Sequence, residues 1–138
     1  MPSTGPDNSF RSMAAAERPG GKSARRVAGE RAERIAAEFL TARGLTIVAR
    51  NFRTRLGEID LIARDGPTLV FVEVRLRRSQ SFGGAGASIT AAKCARLTHA
   101  ARGYLAMIGS EPPCRFDAVL LDSLESPRIA WERDILSG

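Results

Sequence analysis

Two cysteines, a single histidine and no long apolar run limit what this 138-residue chain can be. Cys94 and Cys114 belong to no Cys-x-x-Cys pair, and His99 alone cannot complete a zinc site with them at a recognisable spacing. They read as small apolar fillers in a reducing compartment. No apolar stretch approaches the roughly 20 residues of a membrane span. The first residues, MPSTGPDNSFRSMAAAERPGGK, lack the continuous apolar core of a secretory signal, so the expected location is the cytoplasm. There are no internal repeats.

What is present is an ordinary globular composition with a basic excess. The hydrophobic share is 43% and the charged share 26%, and the length suffices for one domain with one modest core. The formal net charge is +6 and the isoelectric point about 10.6. A small basic protein is attracted to polyanions, nucleic acid before an anionic membrane. Charge alone puts that reading level with basicity of no specific purpose.

Residues 1–23 are rich in Pro, Gly, Ser and Ala without a usable period and read as a disordered tail, which leaves 24–138 as the domain. Helical spacing begins at Ser23, an N-cap candidate, and Ala28, Ala32, Ile35, Ala36, Phe39 and Leu40 form one apolar stripe that Gly44 closes. Leu45, Ile47, Val48 and Phe52 mark a first strand. GEIDLIARDG and TLVFVEVRLR alternate as two more, joined by turn chemistry at Arg64-Asp65-Gly66-Pro67. A glycine-rich loop at 79–86 leads to a second helix from Ser88 to about Ile108, with Leu97, Ala101, Tyr104, Leu105 and Ile108 on one face, ended by Pro112 and Pro113. Residues 115–122 and 128–134 read as two final strands. The expected fold is α/β, a mixed central β-sheet flanked by helices: three antiparallel strands, then a helical crossover to a parallel fourth.

The chemistry concentrates in the central hairpin. Period two puts Glu58 and Asp60 on one face of their strand, with Ile59 and Leu61 on the other, and puts Glu73 beside Arg75 on the next strand. A turn centred on Asp65 and Gly66 sets Glu73 opposite either Glu58 or Asp60, about 5 Å away at Cβ, or about 7–8 Å on the diagonal. Facing carboxylates near apolar runs are costly, and a divalent cation relieves both the repulsion and the desolvation. Oxygen-only ligands suit a hard ion, Mg²⁺ or Mn²⁺. The plainer alternative is a solvated face neutralised by Arg53, Arg55, Arg75 and Arg77. A helical wheel sets Glu33 at the edge of the first helix's apolar stripe, the better third carboxylate, whereas Glu30 and Glu38 point away. Lys93 falls inside the apolar face of the second helix, where it either snorkels past the sheet edge, the commoner answer, or serves a buried anionic site. Arg96 and Arg102 read as surface charges able to meet phosphates.

Taken together, Arg50-Asn51-Phe52-Arg53, Gly57-Glu58-Ile59-Asp60-Leu61-Ile62, Val70-Phe71-Val72-Glu73-Val74-Arg75, the 88–97 stretch with Lys93, and Arg115-Phe116-Asp117 closely resemble the YraN family of small bacterial proteins. The resemblance runs from Gly29 to about Ile135. It implies a restriction-endonuclease-like fold of the PD-(D/E)XK superfamily. It also implies a metal set of Glu33, Asp60 and Glu73, with Asp60, Glu73 and Arg75 at the catalytic positions. Arg75 stands where that superfamily has Lys. Arginine stays protonated, so Arg75 could hold a phosphate oxygen or stabilise developing charge but could not act as a general base.

The expected function is nucleic-acid binding, to DNA before RNA, with Mg²⁺- or Mn²⁺-dependent structure-selective endonuclease chemistry. Arg77, Arg78, Lys93 and Arg96 would contact the backbone, favouring shape over sequence. The competing expectation is a non-catalytic nucleic-acid-binding or protein-interaction module on the same scaffold. Apolar edge strands leave room for a homodimer, which resolvase-like relatives would suggest.

Overall fold

Ser23 caps the first helix as its residue type predicts. Its backbone is extended, at φ −73° and ψ 161°, and its Oγ accepts from the Arg26 N–H at 3.1 Å. The computed structural model describes residues 23–77 and 90–136. The tail expected before Ser23, Arg78, the glycine-rich loop at 79–86 and the helix start expected at Ser88 lie outside the described residues.

Helix α1 (Ala24–Ala42) unwinds at Gly44, whose φ of +97° suits a residue without Cβ, and the Leu45 N–H returns to the Leu40 carbonyl at 3.1 Å. Strands β1 (Thr46–Thr54), β2 (Gly57–Asp65) and β3 (Thr68–Leu76) follow. Helix α2 (Ala91–Ile108) is capped by the Thr90 hydroxyl, which accepts from the Lys93 N–H at 3.1 Å. Strands β4 (Cys114–Leu121) and β5 (Ile129–Glu132) complete one five-stranded sheet in the order β1-β2-β3-β4-β5. Every neighbouring pair is antiparallel except β3 with β4, which is parallel. A parallel neighbour requires a crossover, and α2 lies within it.

One helix covers each face. Ala32, Ala36, Ala37 and Leu40 of α1 pack on Leu61, Ala63, Val70, Val72, Val119 and Leu121. Three alanines on that face let the helix lie close to the sheet. On the opposite face Leu97, Ala100, Ala101 and Tyr104 of α2 pack on Ile59, Ile62, Leu69 and Phe71. Ile108, expected on the packed face, is exposed at the helix end beside Gly109. The strand expected at 128–134 is shorter, Ile129–Glu132. Among the described residues no helix is long and apolar enough to cross a membrane.

The alternation expected in β2 slips by one residue at Asp60. Ile59 packs with Ile62 against α2, while Leu61 packs against α1. The partner strand slips at the same level, with Ala49 and Phe52 both on the α2 side. Between them Asn51 has a φ of +51°, a left-handed conformation that Asn tolerates better than most residues. Period two therefore fails where Asp60 sits, and Ile59 and Leu61 do not share a face as the pattern predicts.

Candidate active site

The turn between β2 and β3 decides which carboxylates face each other. Asp65 pairs with Thr68, Gly66 takes a φ of +60°, and the register runs without interruption to Leu61 opposite Val72. Continued by one step, this register would set Asp60, not Glu58, opposite Glu73, which selects between the two registers the sequence left open. The backbone ladder does not make that step. The Asp60 carboxylate instead accepts the Val74 N–H at 2.8 Å. At this point β3 leaves β2 and continues alongside β4, from Glu73 opposite Ala118 to Leu76 opposite Leu121. The sheet forks, and Asp60 occupies the fork.

Glu73 is 5% exposed, buried on the α2 side of β3. Its Oε2 lies 3.1 Å from the Lys93 Nζ and 3.5 Å from the Arg75 Nε. Lys93 thus serves a buried carboxylate, the less common of the two roles open to a lysine on that helix face. Asp60 is pushed up to about 8, first by desolvation and next by the Glu73 charge, against the pull of the Val74 N–H. Glu33 on α1 is also raised, chiefly by burial, while a hydrogen bond from the Asn51 side chain pulls the other way. Glu33 adds to the repulsion felt by Asp60. The structure brings Glu33, Asp60, Glu73, Arg75 and Lys93 into one neighbourhood. Glu58 is exposed and paired with Arg53 at 3.0 Å, and its charge also raises Asp60 and Glu33.

Among the described residues no three His, Cys, Asp or Glu side chains converge as a metal cage. Mg²⁺ does not require one, since it keeps several waters and is commonly held by one or two carboxylates. Asp60 and Glu73 fit that pattern. Both offer oxygen donors, and their mutual repulsion disfavours ionising both without a cation.

Beside the carboxylates lies a cleft of about 420 Å³, lined by Arg53, Thr54, Arg55, Leu56, Gly57 and Glu58 of the β1–β2 hairpin and by Lys93, Arg96 and Leu97 of α2. Gly57 makes this junction: a Cβ there would overlap the Arg96 carbonyl, so only glycine lets the hairpin rest on the helix. Of the residues expected to meet nucleic acid, Lys93 and Arg96 line the cleft. Arg77 is partly buried at the end of β3, its N–H bonded to the Leu121 carbonyl at 2.7 Å. Sequence reasoning did not place Arg53 and Arg55 with α2. The Arg-x-Arg pattern leading to a turn glycine was the only signal available.

The other buried acid has a different role. Asp117 is fully buried on β4 and accepts from Arg115 Nε, Trp131 Nε1 at 2.9 Å and the Asp134 N–H at 2.9 Å. Arg115 also pairs with Asp65 at 3.0 Å. With its oxygens satisfied, Asp117 ties the last strand to the sheet.

The model of the uncharacterised protein family UPF0102 matches residues 32–121. A UPF0102 protein of Nitrosospira multiformis is 54% identical over 109 residues, spanning 79% of this chain and 92% of its own. One of Symbiobacterium thermophilum is 61% identical over 92 residues, 66% of this chain and 78% of its own. One of Janthinobacterium is 48% identical over 117 residues, 85% and 93% of the two chains. All three matches are long enough to include the forked hairpin's stretch of sequence.

Proposed function

Because the chain belongs to the uncharacterised protein family UPF0102, we propose its activity from the site itself: a Mg²⁺- or Mn²⁺-dependent, structure-selective endonuclease with a PD-(D/E)XK, restriction-endonuclease-like fold. The observation that carries this reading is the buried Asp60 at the fork, whose carboxyl accepts the Val74 N–H and is pushed up to about 8 by burial and by the neighbouring Glu73 charge. Groups perturbed by burial and by a specific charged neighbour concentrate at functional sites. The net charge of +6 and the arginine-lined cleft beside the pair suit a polyanionic substrate.

Asp60 and Glu73 would hold the metal, with Glu33 able to join them by leaving Asn51. The metal would supply polarisation of the scissile phosphate and a more acidic bound water. Everything else falls to the chain. Arg75 stays protonated and would neutralise a phosphate oxygen as charge builds. Lys93 sits against Glu73 from the opposite element and would fix that carboxylate's orientation while presenting a second positive charge to the backbone. Two free thiols suit a reducing cytoplasm.

A second reading has its own support. Glu73 is already matched by Lys93 and Arg75, which is how a site would look if it bound nucleic acid without cutting it. Cleavage of branched, single-stranded and duplex oligonucleotides with Mg²⁺ or Mn²⁺ separates the two. Metal-dependent cutting that Asp60→Asn and Glu73→Gln each abolish supports the endonuclease. Salt-sensitive binding with no cutting under any metal refutes it and leaves the binding module.

A further inference from the structure

The hairpin that walls the cleft ends in an apolar side chain that no core explains. Leu56 is 61% exposed at the tip, between Arg55 and Gly57 and one turn from Arg53. Its backbone is nevertheless held firmly. The Thr54 Oγ1 accepts from the Leu56 and Gly57 N–H groups, both at 3.1 Å, and donates to the Gly57 carbonyl at 3.2 Å. Gly57 in turn rests against the Arg96 carbonyl of α2. An exposed leucine on a fixed tip, in a cleft it shares with Arg53, Arg55 and Arg96, is poorly suited to water and well suited to the face of a base. The cleft behind it has the same mixed character. Arg53, Arg55, Lys93 and Arg96 outnumber its one carboxylate, Glu58, which Arg53 holds at 3.0 Å, and Leu97 of the core closes its floor. Its volume of about 420 Å³ lies within the range of small-ligand sites.

Lys93 belongs to two places at once. It lines the cleft, and its Nζ lies 3.1 Å from Glu73. A nucleotide seated in the cleft would therefore have a neighbouring phosphate delivered to the carboxylates. We propose that this cleft takes one unpaired nucleotide of a nucleic-acid strand, its base against the exposed Leu56 and its flanking phosphates against Arg53, Arg55 and Arg96. Apolar side chains that enter base steps, and pockets that take an extruded base, both act most readily on a nucleotide that has no partner to lose. The substrate class is then a strand with a local defect in pairing, a bulge or a single-stranded gap. The assignment rests on the nucleic-acid reading above and narrows it.

The test is binding in EDTA, followed by fluorescence anisotropy, of two labelled DNA duplexes that differ only in one bulged nucleotide. The full chain should bind the bulged duplex about tenfold more tightly, the scale of covering one exposed leucine side chain. Leu56→Ala should bring that ratio close to one while its melting temperature stays at the parent value, because the side chain is exposed. Met107→Ala, a substitution of an equally exposed residue near the far end of α2, should keep the ratio. Equal binding of both duplexes by the parent chain, or an undiminished ratio in Leu56→Ala, overturns the cleft assignment alone. Failure to bind either duplex at any salt concentration overturns the nucleic-acid reading together with it.

Discussion

Replacing Asp60 by Asn should make the metal-free protein more stable, and increasingly so as pH rises. In the folded chain the Asp60 carboxyl titrates at about 8, against 3.8 for the ordinary group. Between about pH 4 and pH 8 the folded state keeps a proton that the unfolded state has released, so raising pH takes stability away. Below that window both states are protonated, and above it both are ionised, with the whole penalty in force. One proton's difference corresponds to a slope of about 1.4 kcal/mol per pH unit. Asp60 keeps some contact with water, and screening there reduces the slope, so from pH 5 to pH 7 the parent should lose about 1–3 kcal/mol relative to the variant. Asn removes the titration yet retains an oxygen that can accept the Val74 N–H, so the fork is preserved. Urea unfolding of both proteins in EDTA at a series of pH values measures the difference. Glu33 contributes a shift in the same direction to both chains and largely cancels. A difference that does not change with pH, or one that favours the parent as pH rises, would refute the placement of Asp60 as a buried acid facing Glu73.

Three further outcomes follow from the same structure. Mg²⁺ affinity should tighten by up to about tenfold per pH unit between pH 6 and 8, since Asp60 must lose its proton to act as a ligand; calorimetry in buffers of different ionisation enthalpy should find close to one proton released at neutral pH. Asp117→Ala leaves the Trp131 indole N–H and the Asp134 N–H without their acceptor, while Arg115 keeps Asp65, and should cost about 1–3 kcal/mol in chemical unfolding. Gly57→Ala and Gly29→Ala should have opposite effects on melting temperature: at 57 a Cβ meets the Arg96 backbone and costs about 1–3 kcal/mol, whereas at 29 it meets open space within α1 and gains about 0.5–1 kcal/mol.

Much of the architecture was legible because long periodic segments state their faces directly. The Ala32, Ala36 and Leu40 stripe, the Ser23 cap and the VFVEV run each led to the observed element. The family resemblance is matched by the UPF0102 model over residues 32–121. What pattern could not show was the slip at Asp60. Alternation assumes an unbroken pleat, and the left-handed Asn51 on the neighbouring strand breaks it. Asn is uncommon in strands and tolerates a positive φ, so Asn51 was the one hint available, and it does not say where the opposite strand slips. The pairing of Lys93 with Glu73 was open for a related reason. A helical wheel gives a direction from the helix axis, not what the sheet places in front of it. The cleft was less visible still, because it depends on Gly57 approaching a helix some forty residues away in sequence.

The fork gives Asp60 a second occupation. Its carboxylate stands in for the backbone carbonyl that would otherwise receive the Val74 N–H, so the sheet depends on an oxygen at this position whether or not any phosphate is ever cut. On the endonuclease reading, selection on folding and selection on chemistry would press on the same atom. A lineage that lost catalysis would still be held to Asp or Asn here, and retention of this residue among relatives would reveal little about activity. Glu73 is the more telling witness, for the groups paired with it, Lys93 and Arg75, are themselves candidates for the phosphate. On the nucleic-acid reading, joint drift of the three would mark a site released from phosphate, whereas loss of one alone would leave a buried charge unpaired.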